Sequence, residues 1–237
     1  MARAGKIVAE VMKLLKGVIA AGTTTKEIEQ FADEHIRAMG GRSAFKGYRG
    51  YPANICTSVN DEVVHGIPSS RKLSQGDILS IDIGVYYEGF YGDAACTFPV
   101  GPIDQATARL LKVTEEALFL GIERAIEGNR LYDISHAIQS HVEKHGFSVV
   151  RTFVGHGIGR QLHEEPQVPN FGVPGQGPRL RQGMTLAIEP MVNAGTFDVR
   201  VLDDGWTVVT RDGKPSAHFE HTVVVMPKSA RILTNLN

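Results

Sequence analysis

Cysteine is almost missing from this chain: Cys56 and Cys96 are the only two among 237 residues, and their spacing is not that of a zinc site. A disulfide scaffold is excluded, and a reducing cytoplasm is the expected compartment. No apolar run reaches the roughly 20 residues that a membrane-spanning helix needs. The segment up to Gly17 has scattered lysines and apolar residues at helical spacing, but no apolar signal core and no cleavage site. A surface helix is expected there. Strong charge of either sign is also absent. The net charge is −1 with no basic stripe, so the electrostatic footprint of a nucleic-acid binder is missing. The proline- and glycine-rich stretch 169–183 is the nearest thing to a biased tract, and it is expected to be a surface loop. What is present, 42% hydrophobic and 22% charged residues, suits a globular protein with a sizeable core.

The most informative feature is an internal echo. Leu73-Ser74-Gln75-Gly76-Asp77-Ile78-Leu79-Ser80-Ile81-Asp82 matches Leu180-Arg181-Gln182-Gly183-Met184-Thr185-Leu186-Ala187-Ile188-Glu189, with Leu, Gln, Gly, Leu and Ile in register and an acid closing each copy. Upstream, Glu27, Ile28, Phe31, Ala32 and Ile36 keep helical spacing up to Gly40. Asp133, Ile134, Ala137, Ile138 and Val142 do the same up to Gly146. A core strand has no reason to carry an unpaired carboxylate twice, because burying one is costly. A cation shared between two halves, roughly 1–105 and 106–237 of a single domain, explains the duplication.

Three further segments carry chemistry. Residues 78–86 and 90–98 read as two strands of a hairpin. A loop centred between Tyr87 and Glu88 sets Asp82 directly opposite Asp93, with Cβ atoms about 5 Å apart. Two such charges repel by a few kcal/mol at an effective dielectric near ~20, so a proton or a cation must sit between them. In Val154-Gly155-His156-Gly157-Ile158-Gly159, the glycines clear space around a histidine, and Leu162-His163-Glu164-Glu165-Pro166 follows. This is neither a dinucleotide fingerprint nor a zincin helix. Finally, Ala217-His218-Phe219-Glu220-His221-Thr222 opens a strand over 222–226, after a strand over 206–210 and an Asp212-Gly213 turn. It lacks the Pro-Cys-x-x-Cys partner of the zinc deaminases. The inventory is Asp82, Asp93, His156, Glu189 and Glu220: four carboxylates, whose charge two divalent cations balance, and one imidazole. Such an oxygen-rich set suits Mn, Fe, Co or Zn.

These segments resemble the type I bacterial methionine aminopeptidases, and the resemblance spans nearly the whole chain. Asn60-Asp61-Glu62-Val63-Val64-His65-Gly66-Ile67-Pro68, Gly155-His156-Gly157-Ile158-Gly159, His163-Glu164-Glu165-Pro166, Ile188-Glu189-Pro190-Met191 and Glu220-His221-Thr222 match that family's motifs in order. The resemblance implies an α+β, pita-bread (creatinase/aminopeptidase) fold: two pseudo-two-fold-related halves with a largely antiparallel curved sheet flanked by helices. It implies two divalent metal ions (Co, Mn, Fe or Zn), with Asp82 on one, His156 and Glu189 on the other, and Asp93 and Glu220 bridging. Attack of a metal-bridging hydroxide on the first peptide bond is the implied reaction. Glu189 would accept the proton, His163 would bond the scissile carbonyl, and His65 would contact the peptide nitrogen. Tyr48, Tyr51, Cys56 and Trp206 match positions lining a methionine pocket, and an aromatic, sulfur-containing cavity suits a thioether. Phe45 and Leu162 fall at further pocket positions, where family members often carry cysteine and phenylalanine. The implied partners are nascent polypeptide N-termini with a small second residue, met near the ribosome by a monomer, with neither membrane nor nucleic acid. Two other readings are a proline-directed relative such as prolidase, and a non-enzymatic binding protein of the same fold. The first usually carries a preceding N-terminal domain, and the second is expected to have lost ligands.

Overall fold

The first half of the chain runs α1 (Ala2–Leu15), α2 (Thr25–Ala38), β1 (Arg42–Ser43), β2 (Cys56–Val59), β3 (Glu62–Val64), β4 (Ile78–Tyr87) and β5 (Phe90–Pro99) in a computed structural model that describes residues 1–235. The second half runs α3 (Gln105–Ile122), α4 (Leu131–Lys144), β6 (Ser148–Val149), β7 (Gly155–Gly157), β8 (Glu164–Val168), β9 (Thr185–Ile188) and β10 (Met191–Asn193). It continues through β11 (Val199–Val201), β12 (Val208–Thr210), β13 (Ser216–His218), β14 (His221–Val224) and β15 (Arg231–Ile232). Local signals account for the repeated helices. Thr24 accepts from Glu27 N at 3.1 Å, and Glu27 accepts from Thr24 N at 2.7 Å, which closes a capping box on α2. Asp133 accepts from Arg130 N at 2.7 Å at the same place on α4. Helix α3 is not anticipated by the sequence reading. Its start is marked by Asp104, which accepts from Thr107 N at 2.9 Å.

The paired strands named here run antiparallel, and their registers repeat between halves. Ser43 faces Val85 in the first half, and its counterpart Val149 faces Val192 in the second. The long strand β4 corresponds to β9 and β10 together, and β5 corresponds to β13 and β14 together. Both second-half strands break at the same level, at Glu189-Pro190 and Phe219-Glu220. Ile188 faces His221 and Met191 faces His218, so this register, carried across the break, sets Glu189 opposite Glu220.

The hairpin of the first half is a correction. Asp82 faces Ala95, and Asp93 faces Gly84, so the two acids are diagonal neighbours and not directly opposed. The cause is the turn: Glu88 (φ 46°) and Gly89 (φ 86°) both take positive φ, which makes a two-residue loop between Tyr87 and Phe90. The register moves by two residues, so both carboxylates stay on one face. The strand expected over 206–210 starts only at Val208.

Each half buries its own apolar cluster beneath its two helices. Ile7, Val8, Val11, Ile28, Ile36, Leu79, Ile81 and Ile83 belong to the first, and Leu110, Leu118, Ile134, Ile138, Leu186 and Val223 to the second. Helix α1 is therefore a cover over β4 and β5 and not only a surface helix. The halves meet along β5 and β13–β14 through a reciprocal threonine pair. Thr97 Oγ1 donates to His218 O (2.9 Å) and accepts from His218 N (2.8 Å). Its counterpart Thr222 Oγ1 donates to Asp93 O (2.7 Å) and accepts from Asp93 N (3.0 Å). A Cβ on Gly92, next to Asp93, would lie 2.8 Å from Gly5 N and 3.0 Å from Ala4 C in the backbone of α1. Gly92→Ala should therefore push α1 off the sheet and cost about 1–3 kcal/mol. A lowered urea midpoint with an unchanged slope is the expected result, and an unchanged midpoint contradicts this packing.

Candidate active site

The site lies at this seam, in a cavity of about 240 Å³. Asp82 comes from β4, Asp93 from β5, His156 from β7, Glu189 from the break after β9, and Glu220 from the break before β14. All five line the cavity. Ligand atoms of Asp93, His156 and Glu220 lie within 4.8 Å of one another. Glu189 Oε1 is 3.5 Å from His156 Nε2, and Glu189 Oε2 is 3.8 Å from His218 Nε2. Asp82 and Asp93 lie against each other, and Glu220 is fixed by its backbone N–H, which donates to Ala95 O at 2.9 Å.

Electrostatics makes this cluster costly as it stands. Burial lifts the Asp82 carboxyl to about 7. Burial raises Asp93 well above the carboxylate range, and the charges of Glu220 and Asp82 raise it further. Glu189 and Glu220 are raised by burial first and then by the neighbouring acids. The imidazoles shift the other way: burial lowers His156, His163 and His65 to about 4, so all are neutral near pH 7. His156 Nδ1 lies 2.8 Å from Gly157 O, a group that can only accept, so Nδ1 carries the proton and Nε2 keeps its lone pair for a cation. Asp82 Oδ1, Asp93 Oδ1 and Glu220 Oε1 are buried without a hydrogen-bond partner. Unpartnered carboxylate oxygens beside a free imidazole lone pair fit divalent cations.

Beside the acids is an apolar wall that holds every pocket residue expected from the sequence: Phe45, Tyr48, Tyr51, Cys56, Leu162 and Trp206. Cys56 faces Asp82 across β2 and β4, and burial raises its thiol, which therefore stays protonated. The loop between β1 and β2 carries Phe45, Tyr48 and Tyr51. Glu29 on α2 pins it, accepting from Asn54 N (2.8 Å) and Asn54 Nδ2 (3.1 Å). Tyr51 donates its hydroxyl to Gly66 O at 2.9 Å and meets Trp206 edge-on at 5.2 Å. His65 takes a left-handed φ of 62°, uncommon for a residue other than glycine, and lies edge-on to Phe153 and Trp206. The His163 ring lies 4.1 Å from that of His156, tilted by 38°, and Nδ1 bonds Tyr48 Oη at 2.9 Å. The sequence reading missed Arg49, Val64, Phe153, Val154, Met191 and His218 as cavity-lining residues. His218 had a visible signal, the same His-Phe-Glu segment that yields Glu220, but its place beside Glu189 depends on strand register.

The sequence model of metallopeptidase family M24 matches residues 1–227. A methionine aminopeptidase of Clostridium perfringens is 56% identical over 99% of this chain and 94% of its own length. Methionine aminopeptidase 1 of Bacillus subtilis is 54% identical over 100% of this chain and 95% of its own. The crystal structure of methionine aminopeptidase from Thermotoga maritima superposes with a TM-score of 0.98 at 50% identity, covering 99% of this chain and 95% of that one.

Cation binding has a pH signature. A folded carboxyl whose pKa is raised holds its proton where the unfolded chain has lost it. That contribution to stability is full below the ordinary carboxylate range and is lost as pH rises through about 7 for Asp82. Above about pH 7 the buried histidines are largely neutral in both states and do not offset this loss, so the metal-stripped protein should melt at lower temperature at about pH 8 than at about pH 7. Divalent metal at about 100 times its Kd should restore about 2.7 kcal/mol, with protons released on binding. Melting indifferent to divalent ions at pH 8 contradicts the assignment.

Proposed function

The chain belongs to metallopeptidase family M24, and on that premise we propose that it removes the N-terminal methionine from nascent proteins and peptides with a small second residue, in a metal-dependent hydrolysis. The observation that carries this reading is the adjacency of two things in one cavity. An unpartnered carboxylate–imidazole cluster lies against a pocket of Tyr48, Tyr51, Cys56, Trp206, Phe45 and Leu162 that suits a thioether.

In this proposal Asp82, Asp93, His156, Glu189 and Glu220 would hold two divalent metal ions, Asp82 serving one and His156 and Glu189 the other. The bound ions supply Lewis acidity, lowering the pKa of a water toward neutrality and polarising the peptide carbonyl. Every other part belongs to the chain itself. Glu189, flanked by His156 and His218, takes up a proton and returns it to the leaving amine. Neutral His163 donates to the carbonyl oxygen as negative charge develops there. His65, which lines the cavity, meets the peptide nitrogen. The aromatic wall orients the methionine side chain and excludes water. The unit is a single catalytic domain over residues 1–237, acting as a cytoplasmic monomer on chain ends emerging from the ribosome.

The purified, metal-loaded protein should release methionine from a Met-Ala-Ser peptide and leave X-Pro peptides intact. Cleavage of X-Pro peptides without methionine release would sink the proposal. His163→Ala should lower kcat by about 10²–10³-fold and leave metal affinity unchanged. Loss of metal would move His163 into the coordination shell.

A further inference from the structure

His163 lies on the bend that precedes β8, and its ring packs against those of His156 and Tyr48. An imidazole that must donate from one nitrogen needs both its orientation and its tautomer fixed. Nδ1 of His163 has one hydrogen-bond partner among the described residues, the Tyr48 hydroxyl at 2.9 Å, and the two rings lie nearly parallel (14°) with centroids 5.2 Å apart. The Tyr48 hydroxyl in turn has no other partner among the described residues. Tyr48 belongs to the short helical turn Tyr48–Gly50 on the loop that Glu29 and Ser43 anchor: Ser43 donates to Asn54 O at 2.7 Å and accepts from Phe45 N at 3.1 Å. Tyr48 is thus fixed to the first half of the molecule, while His163 belongs to the second.

We propose that Tyr48 is a positioning residue for His163, donating its hydroxyl proton to Nδ1 and thereby holding His163 as the Nε2–H tautomer. A phenol hydroxyl is the better donor of the two groups and a neutral imidazole nitrogen the better acceptor, so O–H···N is the favoured direction across this contact. With Nδ1 occupied as acceptor, Nε2 must carry the proton, and Nε2–H is the only ring donor left for a substrate oxygen. The tyrosine then has two separable parts. Its ring is a wall of the methionine pocket, and its hydroxyl selects the donor nitrogen of a residue on the other half of the chain. This catalytic consequence rests on the function proposed above, whereas the tautomer itself does not.

The test uses the full chain with ¹⁵N-labelled histidine and Tyr48→Phe, which keeps the ring and deletes the hydroxyl. Long-range ¹H–¹⁵N spectra of the metal-free wild type should show His163 as Nε2–H, and Tyr48→Phe should shift it toward a tautomer mixture. With methionyl peptide, Tyr48→Phe should lower kcat by about 10-fold or more, the scale set by partners that orient a histidine, with a much smaller change in KM. In a His163→Ala background the same substitution should have no further effect on kcat. An Nδ1–H tautomer in the wild type overturns the proposal, as does a Tyr48→Phe spectrum unchanged from wild type. An equal loss of kcat with and without His163 also overturns it, by assigning the effect to the pocket wall. If the wild type releases no methionine, the spectra still decide the tautomer.

Discussion

Four carboxyl groups share one buried cavity, and they cannot ionise together without positive charge between them. Most of the site follows from this constraint. Asp82, Asp93, Glu189 and Glu220 are all pushed up by burial, and the last three also by one another. No lysine or arginine answers them among the described ion pairs, and the nearest basic side chains are neutral histidines. A protein that stores this much unfavourable electrostatics at its centre is built to take up cations there.

The fold supplies the cradle by repetition and the chemistry by departure from it. Asp82 and Glu189 are true counterparts, at the same position of β4 and of β9 with its break. Asp93 corresponds by register to His218, and Glu220 to Ala95, so the other two acids are not a symmetric pair. The seam treats the counterparts alike, because Thr97 grips the backbone of His218 as Thr222 grips that of Asp93. The breaks at Glu189-Pro190 and Phe219-Glu220 belong to the second half only, and they release two carboxylates from regular pairing at the cavity.

Much of this is legible in the sequence because the repeat is written in local signals: a capping box, a glycine at the helix end, and an acid at the strand end. The residues of the cluster could be named without knowing a distance. The hairpin register could not, since it turns on whether Glu88 adopts positive φ, and a two-residue slip leaves the apolar pattern unchanged. Helix α3 was missed because it shares the place of α1 but not its residue pattern. The role of His218 was invisible for a different reason. A buried histidine beside a carboxylate is a product of strand pairing, and its neighbours in the chain say nothing about Glu189.

The central claim is that this acid cluster is a binding site for two divalent cations. Anomalous diffraction from crystals of the full chain grown with Mn²⁺ tests it most directly. The account predicts two peaks, one beside Asp82 and one beside His156 and Glu189, with Asp93 and Glu220 reaching both. Peaks away from this cavity, or a metal-free cavity at saturating Mn²⁺, would contradict it.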